Sequence, residues 1–103
     1  MAFDNCSVTV VKMKAAILRA VEALRRVGLA GEGVRLDVTD RAQVESLAGR
    51  IIKHDGKIDI LINSAAVMIK HPVLEMPEYV WDQVIGVNLK GTFLCTQAVA
   101  RGM

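Results

Sequence analysis

The chain predicts an α/β fold with a parallel three-stranded sheet and flanking helices, and three observations carry that reading. Short apolar or β-branched runs alternate with stretches of helical periodicity, the last of those runs is apolar on both faces, and turn residues separate the segments. Ser7-Val8-Thr9-Val10-Val11 is the first such run. Lys14 to Val27 then places Ile17, Val21 and Leu24 on one helical face, with Leu18 beside them and Arg19, Glu22, Arg25 and Arg26 opposite. Gly28 is a natural end for that helix. Val34-Arg35-Leu36-Asp37-Val38 reads as the second strand. Asp40 with Gln43 forms a capping pair ahead of a second helix, whose buried face is marked by Val44, Leu47 and Ile51 and which closes at His54-Asp55-Gly56.

Ile58-Asp59-Ile60-Leu61-Ile62 is apolar apart from Asp59, as expected of a parallel strand covered by helices on both sides. Residues 66 to 76 form a loop, and Pro77 suits the first turn of a helix running through Trp81, Val84, Ile85 and Asn88 to Met103. Right-handed crossovers place the strands in the order Val34 to Val38, Ser7 to Val11, Ile58 to Ile62.

At 103 residues the chain is one domain with a modest core, and 52% hydrophobic residues against 23% charged argue against disorder. Net charge is +2 with both signs interspersed, so no basic stripe suited to nucleic acid can be drawn. No apolar run approaches a bilayer span and the first residues lack a basic region ahead of an apolar one, which points to a cytoplasmic protein with no membrane partner. Cys6 and Cys95 lie far apart with no clustered histidine, and are read as buried thiols rather than metal ligands or a disulfide.

Three segments carry candidate chemistry. Asp37 ends a strand at the carboxyl edge, where open α/β sheets bind ligands; it either accepts a hydrogen bond from a ligand amino group, caps a helix, or is a solvated loop acid. Asn63, followed by Ser64, Ala65 and Ala66, opens a buried strand into small residues that let a ligand approach the backbone, or else its amide only ties the sheet together. Asn88, in Val87-Asn88-Leu89-Lys90-Gly91-Thr92-Phe93, lies one turn from Ile85 and faces inward by spacing, as a ligand-site amide or a core amide.

In order and spacing these segments resemble the middle of the short-chain dehydrogenase/reductase family: its adenine-side Asp-Val, its Asn-Asn-Ala-Gly segment and its active-site Asn. The match of Trp81-Asp82 through Phe93 adds to it. The resemblance implies a single truncated Rossmann-like domain over residues 1–103. It also implies hydride transfer between NAD or NADP and an alcohol or carbonyl small molecule. Asp37 and Val38 would border the adenine, Asn63, Ser64, Ala65, Ala66 and Val87 would line the cofactor site, and Asn88 would be the catalytic residue that holds a water in a proton relay. Ser64 replaces the family's second Asn and Ala66 its Gly, where a Cβ obstructs close approach. Lys12 after the first run hints at a 2′-phosphate.

Other family parts are not in these residues. The single Tyr79 precedes Asn88 and has Gln83 four positions later, so it is not the Tyr of Tyr-x-x-x-Lys, and no Ser follows Asn88. Gly28-Leu29-Ala30-Gly31-Glu32-Gly33 follows a helix and precedes a strand, the reverse of a phosphate-binding turn, and reads as a helix-to-strand loop. The family's first strand, which lies between the second and the one carrying Asn63, is also missing. The chain is therefore expected to be inactive alone, and alternatively to be a non-catalytic, self-associating or protein-interaction module. Val84, Phe93, Leu94 and Val99 are candidates for its contact surface.

Overall fold

The computed structural model describes residues 7–11 and 14–103, with side chains from Ile17 onward. Cys6 and Lys12 lie outside the described residues. The chain divides into two compact units, one ending at Leu36 and one spanning Asp37–Met103.

The first unit is a strand-helix-strand element: β1 (Ser7–Val11), α1 (Lys14–Arg26) and β2 (Ala30–Val34). The strands are parallel, in register from Ser7 opposite Ala30 to Val11 opposite Val34, a pairing that needs a crossover element such as α1 between them. Ile17 is buried, with Val21 and Leu24 half-buried, so the predicted helix face is the packed one. Gly28 ends the helix at φ 78°, its N–H on the Arg25 carbonyl at 3.1 Å.

The second strand differs from its prediction. It occupies Ala30–Val34 rather than Val34 to Val38, so most of the expected glycine loop is the strand itself. Apolar pattern favoured the later segment, but close packing favours this one: a Cβ at Gly33 would collide with Ile17 and come within 3.1 Å of Val21. A strand glycine of this kind marks the close approach of another element.

The second unit is helical: α2 (Arg41–Asp55), a short 3₁₀ turn (Val73–Glu75), α3 (Glu78–Ile85), a π-helical turn (Gly86–Lys90) and α4 (Gly91–Ala100). Asp40 caps α2 as predicted, accepting the Gln43 N–H at 3.2 Å on Oδ1 and the Gln43 side-chain amide at 2.9 Å on Oδ2. Gly56 closes it at φ 85°. Val44 and Ala48 of α2, Val80 of α3, and Leu94 and Val99 of α4 form the core. Leu94 and Val99 are only 2% and 6% exposed, which corrects their assignment to a contact surface; Val84 is half-buried and Phe93 is 52% exposed. α3, the π turn and α4 follow one another as a nearly continuous helical run that stops at Ala100, short of the predicted Met103.

Residues 57–72 carry no helix or strand, and among the described residues the sheet has two strands, β1 and β2. Ile58 to Ile62 is thus not part of a ladder, and the α/β class holds with two strands where three were expected. The physical reason is that apolar propensity alone supplies no hydrogen-bond partners, and among the described residues no strand pairs with this run. Among the described residues, no helix is long and apolar enough to cross a membrane.

Candidate functional site

Asp37 begins the second unit in a tight turn. Its Oδ1 accepts the Thr39 backbone N–H at 2.9 Å and the Thr39 hydroxyl at 2.7 Å, the local pattern in which an Asp side chain bonds two residues on. Its own N–H donates to Gln43 Oε1 at 3.2 Å, and its carbonyl accepts the Asp40 N–H at 3.1 Å. The Thr39 hydroxyl first, and the Thr39 N–H second, hold the Asp37 carboxyl below the usual carboxylate range, slight burial opposing them. The cap of α2 is Asp40, so Asp37 is not a helix cap; it is an exposed, ionised carboxylate with Oδ2 outside the Thr39 bonds.

Val38 and Thr39 rest on the helical run. A Cβ built on Gly91 would lie 2.6 Å from Val38 Cγ2 and 3.2 Å from its Cβ, whereas one on Gly86 would lie 3.7 Å from Thr39 Cγ2. Gly91 is buried and Val38 half-buried.

Asn63 and Asn88 attach residues 63–67 to the same run. Asn63 Nδ2 donates to Thr96 Oγ1 at 3.2 Å. Asn88 pairs its amide with both backbone groups of one residue: Oδ1 accepts the Val67 N–H at 2.8 Å and Nδ2 donates to the Val67 carbonyl at 2.9 Å. Ser64, Ala65 and Ala66 lie exposed between these two tethers. Asn88 is itself exposed rather than inward-facing, a correction with a local cause. It sits in the π-helical turn, where the Gly91 N–H reaches the Gly86 carbonyl and the 3.6-residue spacing no longer applies. The Asn88 carbonyl accepts the Thr92 hydroxyl at 3.2 Å, and Val87 is half-buried in the same turn.

Sequence reasoning missed the groups that do the holding: Thr39, Val67, Gly91 and Thr96. Thr39 was legible, since Asp-x-Thr is a local side-chain-to-backbone motif. Thr96 lies eight positions from Asn88, two helical turns on, but nothing in its residue type names Asn63 as its partner. On α4, Cys95 is half-buried and desolvation pushes its thiol up.

Known proteins resemble this chain in sequence and fold. The family model described as short chain dehydrogenase matches residues 1–103. The chain is 38% identical over 84 residues to 5-keto-D-gluconate 5-reductase of Escherichia coli K12, covering 82% of this chain and 33% of that protein. It is 36% identical over 87 residues to galactitol 2-dehydrogenase of Agrobacterium fabrum, covering 84% and 34%. Among solved structures, a short-chain dehydrogenase/reductase from Burkholderia xenovorans superposes with a TM-score of 0.89 at 28% identity, over 94% of this chain and 37% of that one. The chain thus spans about a third of the length of the curated relatives it matches. With a family match running over residues 1–103, the chain belongs to the short-chain dehydrogenase family.

Proposed function

We propose that this chain supplies the adenine side and the active-site Asn of an NAD- or NADP-dependent oxidoreductase, acting in the cytoplasm on an alcohol or carbonyl substrate. The observation that carries the reading is the Asp37 carboxylate, held ionised by Thr39 with Oδ2 outside those bonds, since an exposed acceptor fixed in place suits an adenine amino group. Val38 borders the same position. Asn63, Ser64, Ala65, Ala66 and Val87 line the next part of the cofactor. These residues fit the adenosine half of a dinucleotide; no Gly-rich turn for the pyrophosphate is present in the 103 residues.

Asn88 enters the reading in a specific form. Its side-chain amide fixes the cofactor-lining segment through Val67, and its backbone carbonyl, which accepts the Thr92 hydroxyl, keeps a second lone pair for a water of the relay. The cofactor, when bound, supplies the hydride chemistry. Within a complete enzyme, Ile58 to Ile62 becomes the third parallel strand and residues 1–103 belong to one Rossmann-like domain.

Calorimetric titration of the chain with NAD and NADP tests this. Affinity is expected on the order of millimolar and lost in Asp37→Ala, with no cofactor-dependent turnover of alcohols or carbonyls by the chain alone. Binding unchanged in Asp37→Ala sinks the reading.

A second reading rests on the exposed apolar side chains Ile60 (78%), Ile62 (80%), Leu89 (65%) and Phe93 (52%). Surfaces of this kind associate, and the chain then acts as a self-associating module. Sedimentation that finds a monomer at high concentration removes it.

A further inference from the structure

Gly91 stands out among the glycines of the helical run because a side chain meets its bare Cα. Its backbone is ordinary helix, φ −59° and ψ −44°, so no conformational reason calls for glycine there, and alanine is the better helix former. The reason is space. Val38 Cγ2 and Cβ fill the volume a Cβ would need, at 2.6 and 3.2 Å. Gly86, equally helical at φ −58°, has room to spare, its nearest neighbour being Thr39 Cγ2 at 3.7 Å. The two glycines bracket the π-helical turn and differ in what lies above them. One has Val38 seated against it and the other has Thr39 at ordinary contact distance.

Val38 is the middle residue of the turn in which Thr39 bonds Asp37. Pushing Val38 outward displaces both ends of that turn. We propose that Gly91 is a positioning residue: its missing side chain is the seat that locks Val38, and through it the Asp37–Thr39 turn, onto the helical run. The site read as the adenine side is therefore built on a helix contact made by neither of its polar groups. The link from turn to adenine rests on the function proposed above; the link from Gly91 to the turn does not.

The experiment separates the two. Titration of the Asp37 carboxyl by NMR in the 103-residue chain reads the turn without a ligand. The wild-type chain and Gly86→Ala are expected to keep Asp37 below the usual carboxylate range, and Gly91→Ala to return it toward that range with faster hydrogen exchange at Thr39 N–H. Gly91→Ala with Val38→Ala is expected to restore both, since the closest clash is then gone. Helical amide signals of α2 and α4 report that each variant is folded. If Gly91→Ala does not fold, the double variant still decides: a folded double variant with Asp37 in its ordinary range overturns the proposal, as does a folded Gly91→Ala with Asp37 unchanged. Adenosine titration is the second arm, expected to weaken on the order of tenfold in Gly91→Ala. No adenosine binding by any form, with Asp37 responding as described, leaves Gly91 as the seat of the turn and removes the cofactor reading instead.

Discussion

Ser7–Val11 and Ile58 to Ile62 are both five-residue runs with strong strand character, yet only the first is a strand. Ser7–Val11 pairs along its whole length with Ala30–Val34, a segment holding two glycines and little strand propensity of its own. Ile58 to Ile62 has the better composition and no ladder, and Ile60 and Ile62 stand 78% and 80% exposed. The contrast separates two things that sequence pattern merges. Apolar side chains say that a segment is meant to be covered; hydrogen-bond partners decide whether it becomes a strand. In the first unit the partner is present and the helix closes over it, so even Gly31 and Gly33 are drawn into the sheet. The other run lies in a chain covering about a third of its relatives' length, and among the described residues no strand pairs with it.

The largest test breaks the favoured side of that comparison. Gly33→Ala drives a methyl into Ile17 where α1 crosses β2, and overpacking of this kind costs about 2–3 kcal/mol. Urea unfolding followed by far-UV circular dichroism should show a lowered midpoint. A midpoint that does not move would mean that α1 is not pressed against β2, and that propensity, not packing, places the second strand.

Asn88→Ala is next in size. It leaves both the N–H and the carbonyl of Val67 without their amide partner, and two exposed bonds of this type together hold about 1–2 kcal/mol. Hydrogen exchange at the Val67 amide should quicken while that at α2 amides stays as it was. Uniform quickening would assign Asn88 a part in global stability rather than in holding residues 63 to 67.

Much of this organisation was readable in the sequence, and the limits are physical. Asp40 with Gln43 declared the start of α2, and Gly28 and Gly56 the ends of two helices, because caps are local chemistry. Asp37, Asn63 and Asn88 were singled out as site candidates because an amide or carboxylate after an apolar run or on a helix forms a pattern, although neither Asp37 nor Asn63 directly follows a strand. Apart from Thr39, their partners were not legible. Val67 contributes only backbone to Asn88, and Gly91 contributes only an absence, so neither carries a signal in residue type. The inward placement of Asn88 failed for a related reason: helical spacing assumes a regular helix, and the π turn at Gly86–Lys90 breaks that regularity where the site is built.

Acid should loosen the Asp37 turn. The folded-state carboxyl is lowered by Thr39, so its contribution is fully present above the unfolded-state range and is lost as pH falls through the depressed folded value. Because Asp37 is exposed, solvent screening keeps the contribution small. Thr39 amide exchange, corrected for intrinsic pH dependence, is expected to rise only in that acid window. A change centred near neutral pH would point to a different group.

The smallest expected effect is the sharpest check on the opening comparison. Ile60→Ser replaces an apolar side chain in the middle of a run that would be buried if it were a strand under helices. In this chain Ile60 is 78% exposed and has no ladder beside it, so the substitution should change stability by no more than about 0.5 kcal/mol. The same change in a buried strand would cost several times that, about 2 kcal/mol or more. Urea midpoints of the wild-type chain and the variant, at low concentration to hold association constant, distinguish the two. A near-zero difference keeps Ile58 to Ile62 as an uncovered run awaiting a neighbour. A loss of more than about 1 kcal/mol would mean that Ile60 is packed after all, and that the absence of a ladder is not what sets this run apart from Ser7–Val11.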